Sequence, residues 1–142
     1  MVHFFCPKCW GEVAEDAHFC QHCGVDMDAF WKDRDYVEHL ILAIQHPEPQ
    51  TPIRAAWILG KIRDERAVAP LARLARDTKD VYIARAAVEA LGQIGGTAAL
   101  GFMRSLAEHP AQLVREAVQA ALTANDAARE VSDASDRQGE RV

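Results

Sequence analysis

The chain has 142 residues, the length of one domain or of a small domain with an appendage. Hydrophobic residues make up 49% and charged residues 26%, with a formal charge of −5, which is typical of a soluble globular chain and disfavours a general nucleic-acid binder. No apolar run approaches the roughly 18–20 residues of a membrane span, and the chain does not start like a signal peptide. We therefore expect a cytoplasmic protein without a membrane segment, in which the cysteines are metal ligands rather than disulfides.

Two Cys-x-x-Cys turns lie within the first 30 residues. Cys6 and Cys9 form the first turn, Cys20 and Cys23 form the second, and ten residues separate the turns. A two-residue gap lets both sulfurs of a turn reach one ion at about 2.3 Å, and two such turns complete a tetrahedron. So short a segment cannot bury a self-sufficient core, so the metal has to supply the folding free energy. The spacing predicts one structural Zn²⁺ ion held by all four cysteines.

Two alternatives remain open for these cysteines. Two independent redox or disulfide pairs would show the same spacing, and iron in the same four-sulfur cage would make an electron carrier. A closed four-sulfur site leaves no open coordination position, so the pattern indicates no catalysis at the metal. We expect the neighbouring His18 and His22 to be surface or hydrogen-bonding residues rather than ligands.

The N-terminal segment resembles the short zinc-ribbon family found at the termini of bacterial proteins. The resemblance is carried by Cys-Pro-Lys-Cys at 6–9, Ala-His-Phe-Cys at 17–20, and Cys23 followed by Gly24. Trp10 stands where that family usually has glycine, so the first turn departs from the family pattern. The resemblance implies a zinc ribbon at residues 1–30.

From residue 34 onward, apolar residues recur at the spacing of amphipathic helices. Leu59, Leu91 and Leu122 occupy equivalent places in three such stripes, spaced by 32 and 31 residues. Leu71 and Met103 belong to a second, interleaved helix type with the same period of 32. Self-similarity at this period predicts stacked helix pairs. Six helices are expected, at roughly 34–46, 52–63, 66–76, 81–94, 97–108 and 111–124, with an extension of the last to 131 left open.

The repeats resemble the HEAT family, and most of all the HEAT-like repeats named for phycobilisome lyases, over roughly residues 51–124. The segments Asp-Glu-Arg-Ala-Val-Ala-Pro-Leu at 64–71 and Arg-Ala-Ala-Val-Glu-Ala-Leu-Gly-Gln-Ile-Gly at 85–95 carry this resemblance. It implies an all-α, short α-solenoid at residues 31–131, followed by a polar tail at 132–142 that we expect to be disordered. Lyase activity does not follow from it, because no catalytic motif accompanies the repeats.

Four arginines are candidate partner-binding residues. Arg66, Arg73 and Arg76 fall within about a quarter turn of one another, opposite the apolar stripe of their helix. Arg104 continues this strip onto the next helix. Such a strip would bind acidic groups of a partner, although a solvated helix face explains the same pattern.

Helix 34–46 has apolar residues on every side and needs a cover. We expect the zinc ribbon to dock there through Phe30, Trp31 and Tyr36, with a partner protein or a second copy as the alternative. Trp31 and Trp57 are also candidate partner anchors. At the other end, the last helix has no following neighbour, so either residues 125–131 fold back or that end forms an interface, for which a homodimer is one hypothesis.

Three functions are consistent with this pattern. The first is a non-enzymatic adaptor that binds another protein through a rigid ribbon and a helical stack. The second is nucleic-acid binding through the ribbon and the arginines, which the acidic ribbon disfavours. The third is an accessory or lyase-like role, for which the sequence offers no Ser/His/Asp set, paired catalytic carboxylates or glycine-rich phosphate loop.

Overall fold

A computed structural model describes residues 2–139 of the chain. Two short strands, β1 (Phe4–Phe5) and β2 (Glu12–Val13), pair antiparallel near the N-terminus. Seven α-helices lie in the described part: α1 (Met27–Lys32), α2 (Tyr36–Ala43), α3 (Gln50–Ile62), α4 (Val68–Asp77), α5 (Val81–Ile94), α6 (Gly96–Ser105) and α7 (Gln112–Gly139). The predicted all-α class is confirmed.

Side-chain caps determine where three of these helices begin, and Asp26 caps α1 by accepting a hydrogen bond from the backbone N–H of Ala29. Asp35 accepts a hydrogen bond from the backbone N–H of Glu38, whose carboxylate accepts one from the N–H of Asp35. Asp80 accepts from the N–H groups of Tyr82 and Ile83, so α5 begins where the sequence predicts it. Each cap satisfies backbone donors that the first turn of a helix leaves unpaired.

The predicted helix at 34–46 differs from the structure at both ends. The structure has the shorter α2 in its place, preceded by α1, which the sequence analysis missed. α1 has six residues, too short for a periodic apolar pattern to show. The boundary expected between residues 30 and 31 falls inside α1, so the ribbon passes into the helical part through a helix.

The sequence predicts a disordered tail from residue 132, but the structure shows a helix up to residue 139. α7 continues to Gly139, and residues 126–137 are exposed along its surface. This stretch contains no proline, and Ala127, Ala128, Arg129 and Glu130 are good helix formers, so the preceding turns propagate through it. Residues 140–142 of the expected tail lie outside the described residues. No described helix, α7 included, combines the length and apolar character that crossing a membrane requires.

The helices form two layers around one apolar core. α3, α5 and α7 pack side by side in one layer, and α2, α4 and α6 form the other. The largest side chains sealed in the core are Ile44, Leu59, Leu71, Val88, Leu91, Met103, Val114 and Val118. All three leucines among them are repeat positions, so the period seen in the sequence is the period of the stack.

Glycines allow the α3–α5–α7 layer to pack closely. A Cβ added at Gly60 would lie 3.1 Å from the Cα of Ala90, and one added at Gly92 would lie 2.9 Å from the Cβ of Ala121. Neither neighbouring atom can rotate away, because one is backbone and the other is bonded directly to it. Gly60 and Gly92 therefore fix the spacing between neighbouring repeats.

We expect Gly92→Ala to destabilise the stack by about 1–2 kcal/mol, because overpacking outweighs the roughly 1 kcal/mol that alanine gains over glycine in a helix. The matched control is Gly101→Ala in α6, where an added Cβ meets nothing within 4 Å. That control should stabilise the protein by about 0.5–1 kcal/mol. Urea unfolding measures both changes, and a stabilised Gly92→Ala variant would contradict the close approach.

Candidate metal centre

The four predicted cysteines form one cluster. Their Sγ atoms all lie within 4.8 Å of one another, and the contacts Cys6–Cys23 and Cys9–Cys20 measure 3.7 Å. A tetrahedron with metal–sulfur bonds of 2.3 Å has edges of about 3.8 Å. Both contacts join one turn to the other, whereas two independent pairs would join sulfurs within a turn. The arrangement is that of a single metal site, and it argues against two separate pairs.

The two cysteine turns share one backbone hydrogen-bond pattern. In each turn, the N–H two residues after the first cysteine faces its sulfur, at 3.4 Å for Lys8 and 3.3 Å for His22. The residue after the second cysteine then donates to the carbonyl of the first cysteine, at 2.9 Å for Trp10 and 2.8 Å for Gly24. The N–H groups of Lys8 and His22 stabilise negative charge on the sulfurs that they face, so both turns are arranged for thiolates.

The sulfurs differ in burial and in acidity. Cys6 and Cys20 are buried, whereas Cys9 and Cys23 are exposed. Burial by itself would raise the pKa of Cys20. Hydrogen bonds from backbone N–H groups and from the neighbouring thiols outweigh burial and lower the pKa to about 6. A backbone N–H lowers the pKa of Cys9, but desolvation and the other sulfurs raise it to about 11. Charge placed on one sulfur thus opposes ionisation of the next, and a divalent cation in the cluster would remove that conflict.

The two histidines beside the cysteines lie outside the cluster, as expected. His22 Nε2 is 3.0 Å from the carbonyl oxygen of Glu12, and its ring lies where a side chain on Gly11 would be. His18 Nδ1 is 2.8 Å from Asp28, and this hydrogen bond raises the pKa of His18. Both imidazoles tie parts of the ribbon together.

Trp10 has a left-handed backbone conformation. Its φ is +60°, and Gly24, at the equivalent place in the second turn, has φ +74°. A non-glycine residue in this region costs roughly 1 kcal/mol or more, so glycine is the residue expected at this place in a cysteine turn. The departure at Trp10 is therefore a strained position.

The strained turn places an aromatic ring against the helical stack. The Trp10 ring lies edge-on to His46, with 5.4 Å between ring centroids, and Phe5 contacts the same imidazole at 5.0 Å. His46 lies in the loop between α2 and α3. The sequence analysis missed this contact, although the tryptophan in a glycine position was a signal for it.

Docking through Phe30, Trp31 and Tyr36 is only partly as expected. Trp31 is half-buried, its ring is 4.7 Å from that of His39, and its carbonyl oxygen is 2.8 Å from His39 Nε2. Phe30 lies beneath the Arg34 guanidinium, 3.6 Å away. Tyr36 remains 62% exposed. Trp31 therefore joins α1 to α2, and Tyr36 takes no part in the contact.

The four arginines do not form one strip. Arg66 pairs with Asp64 at 2.9 Å and with Asp35 at 2.8 Å, and hydrogen bonds to these carboxylates raise its pKa. Arg66 links the start of α2 to the turn before α4. It therefore has a structural role within the chain besides any binding of a partner.

Arg73 and Arg76 line a groove of about 510 Å³ between α4 and α6, together with Phe102. Arg76 already pairs with Asp77 at 2.7 Å. Arg104 lies two positions after Phe102, about 200° around α6, and does not line this groove. The structure thus brings together only two of the four arginines.

The fold and the site define a class of protein: a short stack of paired helices that carries a four-cysteine site at its N-terminal end. A comparison with known families matches residues 37–123 to HEAT repeats, over more than half of the chain. The chain belongs to the HEAT-repeat family. The comparison does not show the phycobilisome-lyase type.

One curated relative is deoxyhypusine hydroxylase of Mus musculus. It is 40% identical over 67 residues, which cover 46% of this chain and 22% of that protein. The chain thus spans about a fifth of the hydroxylase, and the likeness extends to a part of it only.

We expect the cluster to hold a metal ion, and chelation or Cys20→Ser should then unfold the ribbon and leave most of the helical circular dichroism intact. The ribbon's core consists of the buried Cys6, Val13, Cys20 and Met27, too little to hold it without an ion. Hydrogen exchange should rise within residues 2–26. His18→Ala, beside the ligands, is the control and should retain the metal. Collapse of the whole helical signal would show that the ribbon and the stack fold as one unit.

Trp10→Gly should separate the role of the backbone conformation from that of the ring. Relief of the left-handed strain opposes the loss of packing on His46, so metal affinity should change less than about fivefold, while amide exchange in the α2–α3 loop accelerates. Gly24→Ala, the matched variant, introduces the strain alone and should weaken metal binding about fivefold. Unchanged loop exchange in Trp10→Gly would show that the ring does not hold the loop.

Proposed function

We propose that this protein is a non-enzymatic adaptor that binds another protein on its helical stack, with a structural zinc ribbon as a second, rigid module. The closed cluster of four sulfurs supports the structural role most directly, because four protein ligands leave no position for a substrate or a reactive water. The HEAT stack supplies a preformed surface that is long relative to its core, which suits binding rather than enclosed chemistry.

Zn²⁺ is the ion we propose for the cluster. Cys6, Cys9, Cys20 and Cys23 would hold it, and sulfur distances near the edge of a zinc–thiolate tetrahedron fit this metal. When bound, it supplies folding free energy to the ribbon rather than reactivity. Four thiolates need a reducing compartment to remain reduced, which supports a cytoplasmic location.

The relative's reaction is not part of the proposal. The match covers 22% of deoxyhypusine hydroxylase, so it supports a shared repeat architecture and not a shared active site. Binding surfaces in repeat proteins vary independently of the repeat itself, so the partner has to be inferred from this chain's own exposed residues.

The adaptor proposal predicts one zinc ion per chain and one stoichiometric protein partner. Elemental analysis of the purified chain gives the first, and crosslinking in the source cells followed by capture and mass spectrometry identifies candidates for the second. Each candidate should then bind the purified chain directly at 1:1 in sedimentation.

Three outcomes would contradict the adaptor proposal. Recovery of nucleic acid, lost steeply with salt, would favour the nucleic-acid alternative. Recovery of the chain alone, with a dimer in sedimentation, would favour self-association through the C-terminal end of α7. Absence of any direct 1:1 partner would contradict the adaptor role, because an adaptor has to bind another protein.

A further inference from the structure

The outer side of α3 exposes a large aromatic ring between two cations. Arg54, Trp57 and Lys61 form its exposed stripe, and Trp57 is 60% exposed. The Lys61 Nζ lies 5.3 Å from the indole centroid. An exposed indole on a rigid helix is unfavourable in water and is the side chain most enriched at the centres of protein interfaces.

α5 exposes a matching stripe. Tyr82 is 65% exposed, and Arg85 pairs with Glu89 at 2.8 Å. The short connections before and after α4 make it antiparallel to both neighbours, so α3 and α5 run in the same direction. The two stripes therefore lie side by side in one layer.

The two aromatic residues stand on the flanks where the helices meet. Gly60 marks the flank of α3 that contacts Ala90 and Gln93 of α5. At about 100° per residue, Trp57 is roughly 60° from Gly60, and Tyr82 is roughly 20° from Gln93. Both rings lie on the outer side of this layer: Trp57 is level with Glu89, and Tyr82 lies about 10 Å further along the axis. We call this outer side the α3–α5 face: Arg54, Trp57, Lys61, Tyr82, Arg85 and Glu89.

The charge of this face is opposite to that of the whole chain. The chain has 21 acidic residues and a net charge of −5, yet α3 contains none of them and carries Arg54 and Lys61. On α5, Glu89 balances Arg85 only. Two cations therefore remain without an acidic partner on either helix, next to two exposed rings.

We propose that the α3–α5 face binds an acidic segment of the partner protein, with Trp57 as the apolar anchor and Arg54 and Lys61 as the groups that bind carboxylates. This inference rests on the proposed adaptor function and names the chemistry of its partner. Charge complementarity selects the acidic segment, and the rigid aromatic surface supplies contact area at small entropic cost. A polynucleotide would require a longer run of cations to follow its phosphates than these two helices offer.

The test is selection of a phage-displayed library of random twelve-residue peptides against the zinc-loaded full chain. Enriched peptides should combine several Asp or Glu residues with an aliphatic or aromatic residue. Fluorescence anisotropy of the synthesised peptides should show at least tenfold weaker binding to Trp57→Ala and to Lys61→Glu.

Matched controls use residues of the same type elsewhere on the surface. Tyr36→Ala removes an aromatic ring that is 62% exposed, and Arg129→Glu reverses an exposed cation on α7. Both should bind the peptides within twofold of the unmodified chain. Circular dichroism should show that Trp57→Ala and Lys61→Glu retain the fold, as expected for exposed side chains.

Several outcomes would overturn the inference. They are no enrichment, enrichment of neutral or basic peptides, binding that both variants leave unchanged, and tighter binding of a twelve-nucleotide poly-uridine than of any selected peptide. A captured partner that binds Trp57→Ala as well as the unmodified chain would reject this face and leave the adaptor function standing. Failure to capture any partner would instead reject the adaptor function.

Discussion

The convergence of four sulfurs within 4.8 Å is the constraint on which the N-terminal part depends. Within the described residues, the N-terminal part buries Pro7, Val13 and Met27 besides two of its cysteines, so hydrophobic burial is too small to hold it. The backbone N–H groups of both turns face sulfur, which favours thiolates, and thiolates this close repel one another unless a cation lies between them. This supports our proposal that a metal ion binds the cluster and that its binding and the folding of the ribbon are one event.

The first cysteine turn also connects the ribbon to the helical stack. Trp10 holds a conformation that its counterpart Gly24 adopts without strain, and the ring gained in exchange packs against His46. Phe5 adds a second contact to the same imidazole, and Trp31 joins α1 to His39 of α2. The first turn and β1 thus place two aromatic rings against the α2–α3 loop, and α1 places a third against α2.

Close approach of α3, α5 and α7 determines which side chains remain outside the stack. Where Gly60 and Gly92 bring the helices together, the residues on the far side of α3 and α5 have no neighbour above them. Trp57 and Tyr82 are exposed for that reason. The arginines of the other layer are less available, because Arg66 and Arg76 already pair with carboxylates of this chain. Because these arginines are already paired, the α3–α5 face is a better candidate for a partner-binding surface than the arginines are.

The sequence by itself determined the helical class, the repeat period, the position of α5 and the four clustered cysteines, because these follow from local spacing: heptad-like stripes, caps, and two-residue gaps. Tertiary structure alone decided the contact of Trp10 with His46, the pairing of Arg66 with Asp35, and the shared surface of Trp57 and Tyr82. These depend on which residues meet across 25 or more positions of chain, and periodicity along one helix carries no information about its neighbour's rotation. The continuation of α7 to Gly139 lies between these two cases. Helix propensity along the sequence permits it, whereas the polar composition favoured disorder.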